Sequence, residues 1–173
     1  MNRFRRRNAL VPVLLAALAS IALSTSHANA ADLSECQDQA NSSCLVLGFT
    51  TGGDDLRGGN DNLNVTVSLR GVSVTVPNVN KGGNWGNGSF HQVGIDLKRR
   101  FGHQVMPNEI SGVTLHTTFG GGIGGDNWNL QSMSATAQLQ DVLRNYHVTG
   151  LAYRFGNPLF RFTGERKDLT INW

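Results

Sequence analysis

Cysteine is nearly absent from this chain. Two occur in 173 residues, Cys36 and Cys44. Two thiolates without nearby histidines make an incomplete zinc shell, and the spacing is not the C-x-x-C of a redox pair. Histidine is sparse and scattered: His27, His91, His103, His116 and His147 form no H-x-x-x-H or H-E-x-x-H pattern. No G-x-S-x-G nucleophile elbow occurs. Asp54 and Asp55 are adjacent, and adjacent strand residues point to opposite faces, unlike the facing carboxylates of a glycosidase. The expectation is a protein that is not an enzyme. Long apolar runs are also lacking. The single run, residues 9–23, is shorter than the ~20 residues a membrane span needs, so no transmembrane segment is expected once the leader is removed.

A true basic excess is missing as well. The formal charge of +3 comes from Arg3, Arg5, Arg6 and Arg7 at the start of the chain. Beyond residue 30 the balance is 11 Lys and Arg against 12 Asp and Glu. A nucleic-acid partner requires a clustered basic surface, and Lys98-Arg99-Arg100 and Arg166-Lys167 read as solvated turns. Nucleic acid is therefore not an expected partner.

What is present begins with an export signal. The four arginines, the apolar run and Ala28-Asn29-Ala30 have the order of a signal peptide with an A-x-A cleavage site. Residues 1–30 are expected to be removed, leaving 31–173 as one domain in a secreted or periplasmic protein. That compartment permits a Cys36–Cys44 disulfide. Closing so short a loop stabilises by roughly 2–3 kcal/mol in the chain-entropy account.

The expected mature sequence alternates with period two, the pattern of half-buried strands. Leu63, Val65, Val67 and Leu69 alternate with polar residues, then Val72, Val74 and Val76 do so after a tight Arg70-Gly71 turn. Leu45, Leu47 and Phe49 precede them. Val93, Ile95 and Leu97 follow, then Val113, Leu115 and Thr117. Trp128 and Leu130 run into Met133, Ala135 and Ala137 with a slip near Ser132 that suggests a bulge. Phe160 and Phe162 lead through Gly164-Glu165 to Leu169, Ile171 and Trp173, read as a hairpin. The expected fold is all-β, an antiparallel β-sandwich of about eight strands, with a short helix near residues 138–146.

Glycine, 21 in number, concentrates in three loops. The first, residues 51–62, holds Asp54, Asp55, Arg57, Asn60 and Asp61. Hard cations such as calcium take six to eight oxygen ligands, and Asp54, Asp55, Asn60 and Asp61 supply that chemistry in a compact span. Asp126 and Asn127 of the third loop would join if both loops share one end of the sandwich. Arg57 offers another arrangement, in which it pairs with Asp54 or Asp61 and holds the loop without metal. Asx- and Gly-rich composition is also simply what turns use. Trp85 and Trp128 lie beside Asn and Gly, where exposed aromatics bind sugars or a membrane interface. Trp128 is in phase with Leu130, which suits a core plug.

Thr51-Gly52-Gly53-Asp54-Asp55-Leu56-Arg57-Gly58-Gly59, the later Asn84-Trp85-Gly86-Asn87 and the Asp126-Asn127-Trp128-Asn129-Leu130 segment together resemble the PLAT/LH2 class of C2-like β-sandwich modules. The resemblance implies an eight-stranded antiparallel sandwich that binds lipid surfaces or protein partners, with calcium at the first loop in several members. It places Asp54, Asp55, Asn60 and Asp61 on that ligand loop. The function expected from residues and resemblance is a secreted binding module, calcium-linked, whose partner is a protein, a lipid surface or a glycan. A second expectation is a metal-independent structural or interaction protein with the loop locked by Arg57, and a third, ranked below both, is a small hydrolase acting through Asp55.

Overall fold

A computed structural model describes residues 35–36, 40–119 and 127–173. The expected signal peptide and Asp126 lie outside the described residues. Among the described residues, eight strands form two antiparallel four-stranded sheets. They are β1 (Ser42–Thr51), β2 (Leu63–Leu69), β3 (Val72–Val76), β4 (Phe90–Asp96), β5 (Ile110–Thr117), β6 (Trp128–Gln140), β7 (Tyr146–Phe162) and β8 (Asp168–Asn172). One sheet has the order β4-β1-β6-β7 and the other β3-β2-β5-β8. The expected eight-stranded antiparallel sandwich is what forms.

The alternation explains the burial. In β2 every second residue from Leu63 to Leu69 is buried and the residues between are half-exposed, so one face lines the core and the other meets water. The core draws on both sheets, with Leu45, Leu47, Phe49, Val65, Leu115, Leu130 and Met133 among its buried residues. The Arg70-Gly71 turn forms as expected, with Gly71 at φ 81°, a left-handed conformation that glycine adopts without a Cβ penalty. The register shift between Leu130 and Ser132 is the expected bulge. Cys36 and Cys44 are bridged, with Cα atoms 5.6 Å apart.

Two expectations are corrected. No helix forms over 138–146. Strand β6 continues to Gln140, and β7 begins at Tyr146. Between them the Asp141 carboxylate accepts the backbone N–H groups of Leu143 and Asn145 at 2.8 Å each, and the Asn145 side-chain amide at 2.9 Å. That side chain closes a turn where a helix would need its own backbone bonds. The helix α1 lies instead at Leu97–Phe101, capped by Asp96, whose side chain accepts the Arg99 N–H. A 3-10 turn follows at Pro107–Glu109. The second correction concerns Phe160 to Trp173. Strand β7 pairs with β6, and β8 pairs with β5. The Gly164-Glu165 turn therefore carries the chain from one sheet to the other rather than closing a hairpin.

Candidate functional site

The connections divide cleanly between the two ends of the sandwich. Residues 52–62, 77–89 and 163–167 join strand ends at one pole, where β5 also ends and β6 begins, and the turns at 70–71, 97–109 and 141–145 lie at the other. The first pole holds the acid- and glycine-rich loops, and the two poles differ in what they leave open.

At the loop pole the 51–62 segment is fastened to the sheets by backbone bonds. Thr51 N–H donates to Ser89 O at 2.9 Å and Gly52 N–H to Asn129 O at 2.7 Å. Leu56 and Trp85 exchange backbone bonds of 3.2 and 2.8 Å, and Leu56 is fully buried. Gly58 has φ 79°, and a Cβ there would collide with the carbonyls of Gly82 and Gly83. Glycine is required where the two loops cross.

Two of the three carboxylates of this loop, Asp54 and Asp55, already have partners. Asp54 Oδ2 accepts from Arg161 Nη2 at 3.0 Å. Asp55 Oδ2 accepts from the Asn84 amide at 3.1 Å, and Arg57 Nε stands 3.9 Å from Asp55 Oδ1. The loop's counter-ion for Asp54 is thus Arg161, and Arg57 faces Asp55. The carbonyl of the exposed Asn60 accepts the Thr118 hydroxyl at 2.7 Å. The backbone N–H of Asp61 donates to Gly58 O at 3.0 Å. Asn127 is half-buried. Among the described residues, no group of three or more His, Cys, Asp or Glu is placed to hold a metal ion.

The two tryptophans close the core behind these loops. Trp128 is fully buried and Trp85 is 5% exposed, so neither presents its ring to water. Trp85 stacks on Phe49 at 5.4 Å and on His91 at 4.8 Å, and meets Trp128 edge-on at 5.8 Å. Trp128 stacks on Phe162 at 5.1 Å, and its indole N–H donates to the buried Thr51 hydroxyl at 3.1 Å. Desolvation in this cluster lowers the pKa of His91, whose Nε2 lies 2.8 Å from Ser89 Oγ.

The opposite pole carries a surface that sequence reading missed. The Asp141-braced turn holds Val142 and Leu143 outward, 72% and 79% exposed. Tyr146 and Val148, directly after the turn, are also largely exposed, as are Met106 and Val72 at the same end. Isolated exposed apolar residues are ordinary; a group of them marks an interaction surface. The acids of this pole are engaged. Glu35 receives the Arg100 guanidinium at 2.8 Å, Asp96 caps α1, Glu109 accepts the Met106 N–H at 2.6 Å, and Asp141 holds the turn. Arg70, Lys98, Arg99 and Arg144 have no acidic partner among the described residues. The pole combines exposed apolar side chains with unspent positive charge.

No family model matches the chain, and no curated protein matches it. Among solved structures the chain is similar to a lipoxygenase in complex with arachidonate, at 13% identity and a TM-score of 0.43, over 75% of this chain and 16% of that one. It is also similar to the alpha-toxin of an avian strain of Clostridium perfringens, at 16% identity and a TM-score of 0.41, over 68% of this chain and 32% of the toxin. Both are distant likenesses. The chain spans only a fraction of either protein. Among the described residues no helix is long and apolar enough to cross a membrane.

Proposed function

We propose that this protein is an exported, non-catalytic binding module that docks on an anionic lipid surface through the pole opposite its acidic loops. The observation that carries the reading is the braced turn, which keeps Val142 and Leu143 in water, uncovered by any of the described residues. A loose loop could fold such side chains back; this one is held by three bonds to a single carboxylate. Burying an aliphatic side chain in the acyl boundary gains about 1.5–3 kcal/mol. A Lys or Arg near an anionic bilayer adds about 1 kcal/mol, and Lys98, Arg99 and Arg144 are available for it. Tyr146 follows the tip, and tyrosine favours the headgroup layer, where one end of its ring is apolar and the other wet.

The test is flotation of the purified protein with phosphatidylcholine vesicles, with and without phosphatidylglycerol, in EDTA and in calcium. Binding to the anionic vesicles in EDTA, lost in a Val142→Ser/Leu143→Ser variant, supports the reading. Absence of binding under every condition overturns it. Binding that needs calcium and survives the tip substitutions transfers the function to Asp54, Asp55, Asn60 and Asp61 at the other end.

A further inference from the structure

A cavity of about 370 Å³ opens between the β2–β3 turn and the segment that follows α1. Leu69, Val72 and Phe101 supply its apolar lining, and Arg70, His103, Asn108 and Glu109 its polar groups. The size falls within the usual range of small-molecule sites, and the mixture of an apolar wall with a few polar groups is their usual chemistry. We propose that this cavity binds a monoanionic amphiphile, a carboxylate on a medium-length alkyl chain. The site is separate from the Val142-Leu143 tip and does not depend on docking to a bilayer.

Charge selects the ligand class. Arg70 has no acidic partner among the described residues. It sits beside Gly71 at an exposed turn, where the sequence requires no cation for folding. A guanidinium offers a carboxylate two parallel bonds. Glu109 is the acid of the site, but its carboxylate is committed. One oxygen accepts the Met106 N–H at 2.6 Å, and the other stands 3.7 Å from His103 Nε2. Glu109 keeps its negative charge beside His103, and Arg70 is the charged group of the lining that has no acidic neighbour among the described residues. Volume selects the chain length. A cavity at the small end of the usual range for small-molecule sites suits a medium-length chain such as that of octanoate or decanoate. The methylenes would lie on Leu69, Val72 and Phe101, and Val72, at 58% exposed, would gain the cover it lacks.

Calorimetric titration of the purified protein with octanoate, octanol, octylamine and acetate tests the proposal. Octanoate is expected to bind at least about tenfold more tightly than octanol or acetate, since the first lacks the charge and the second the chain. Arg70→Gln should remove the preference for octanoate over octanol, and Phe101→Ala should weaken both. A thermal melt of each variant establishes that it is folded, and Arg70→Gln, at an exposed turn, should melt as the parent does. Equal binding of octanoate and octanol, an unchanged preference in folded Arg70→Gln, or no binding at all would overturn the assignment. Tighter binding of octylamine would overturn it too, by making Glu109 the recognising charge. Saturation by octanoate also separates this site from bilayer docking, because the Val142→Ser/Leu143→Ser variant should retain it in full.

Discussion

Asp54 and Arg161 are 107 residues apart in the chain, and their side chains meet at 3.0 Å across the loop pole. The bond ties the first acidic loop to the edge strand β7 and gives the Asp54 carboxylate a cation from within the fold. Both side chains are partly open to water, 47% for Arg161 and 28% for Asp54. An exposed pair of this kind is worth at most about 1 kcal/mol. Arg161→Ala should lower stability by about that much or less in a urea titration, and Asp54→Asn should do the same. A double-mutant cycle should show coupling between them. Calcium gives a second reading of the same variants. If Arg161 competes with a cation for Asp54, Arg161→Ala should raise any calcium-dependent shift in melting temperature above the parent's; independence of the two would show as identical shifts.

Trp128 makes the opposite kind of prediction, a large one. It is fully buried between Phe162 and Trp85 and donates to a buried hydroxyl. Trp128→Ala should cost about 3–5 kcal/mol, the usual range for removing a buried aromatic. Trp128→Phe keeps most of the packing but strips Thr51 Oγ1 of its donor, for about 1–3 kcal/mol. If urea denaturation placed both substitutions within 0.5 kcal/mol of the parent (on the order of a surface change), the ring would not be the plug of this end.

The Cys36–Cys44 bridge closes a loop of eight-residue separation and fastens the start of the described chain to β1. The Glu35–Arg100 pair, at 2.8 Å, fastens the same segment to α1. Reduction, or a Cys36→Ser/Cys44→Ser variant, should lose roughly 2–3 kcal/mol by the loop-entropy account, read as a shift in the urea midpoint with the slope nearly unchanged. The ion pair with α1 should keep the reduced segment close to the sheet, so the loss should stay at the lower end of that range.

Where one face of a strand is buried and the other wet, the sequence carries the fold in plain view. Leu63 to Leu69 alternates because each inward residue enters the core and each outward one meets water, and Trp128 sits in phase with Leu130 for the same reason. The first turns of β7 carry no such record. Every residue from Tyr146 to Gly150 is exposed, so selection for burial imposes no alternation there, while the helix expected at 138–146 falls on the end of β6 and the Asp141 turn. The acids at 54–61 were legible as a group, but their partners were not. Arg161 lies between Phe160 and Phe162, which marks it as outward-facing. Only the pairing of β6 with β7 brings it to Asp54. The tip was illegible for a further reason. A turn braced by one aspartate has the composition of any polar loop, and the exposure of Val142 and Leu143 becomes evident only when the strands on both sides are in place.

That brace titrates, which gives the proposed docking surface a pH dependence. Bonds from the Asn145 side chain, then from the Asn145 and Leu143 backbones, hold the pKa of Asp141 below its ordinary value, with His147 a smaller contributor. The folded turn therefore favours the ionised carboxylate. Its contribution is fully present above the ordinary aspartate range, near pH 4, and is lost as pH falls through the lowered folded value. Asn145→Ala removes the largest cause, so Asp141 should titrate closer to its ordinary value and the turn should loosen at a higher pH than in the parent. Following the Asp141 carboxyl carbon by NMR across pH 2–6 (roughly the span of shifted aspartates), together with Leu143 amide exchange, reads both effects. The two should move together, because the Leu143 N–H is one of the donors that the carboxylate holds. An Asp141 that titrates at its ordinary value in the parent, or a Leu143 amide whose exchange ignores that titration, would mean that the carboxylate does not fix the tip. In that event Val142 and Leu143 would be free to fold back, and the argument for a pre-formed lipid-docking surface would lose its foundation.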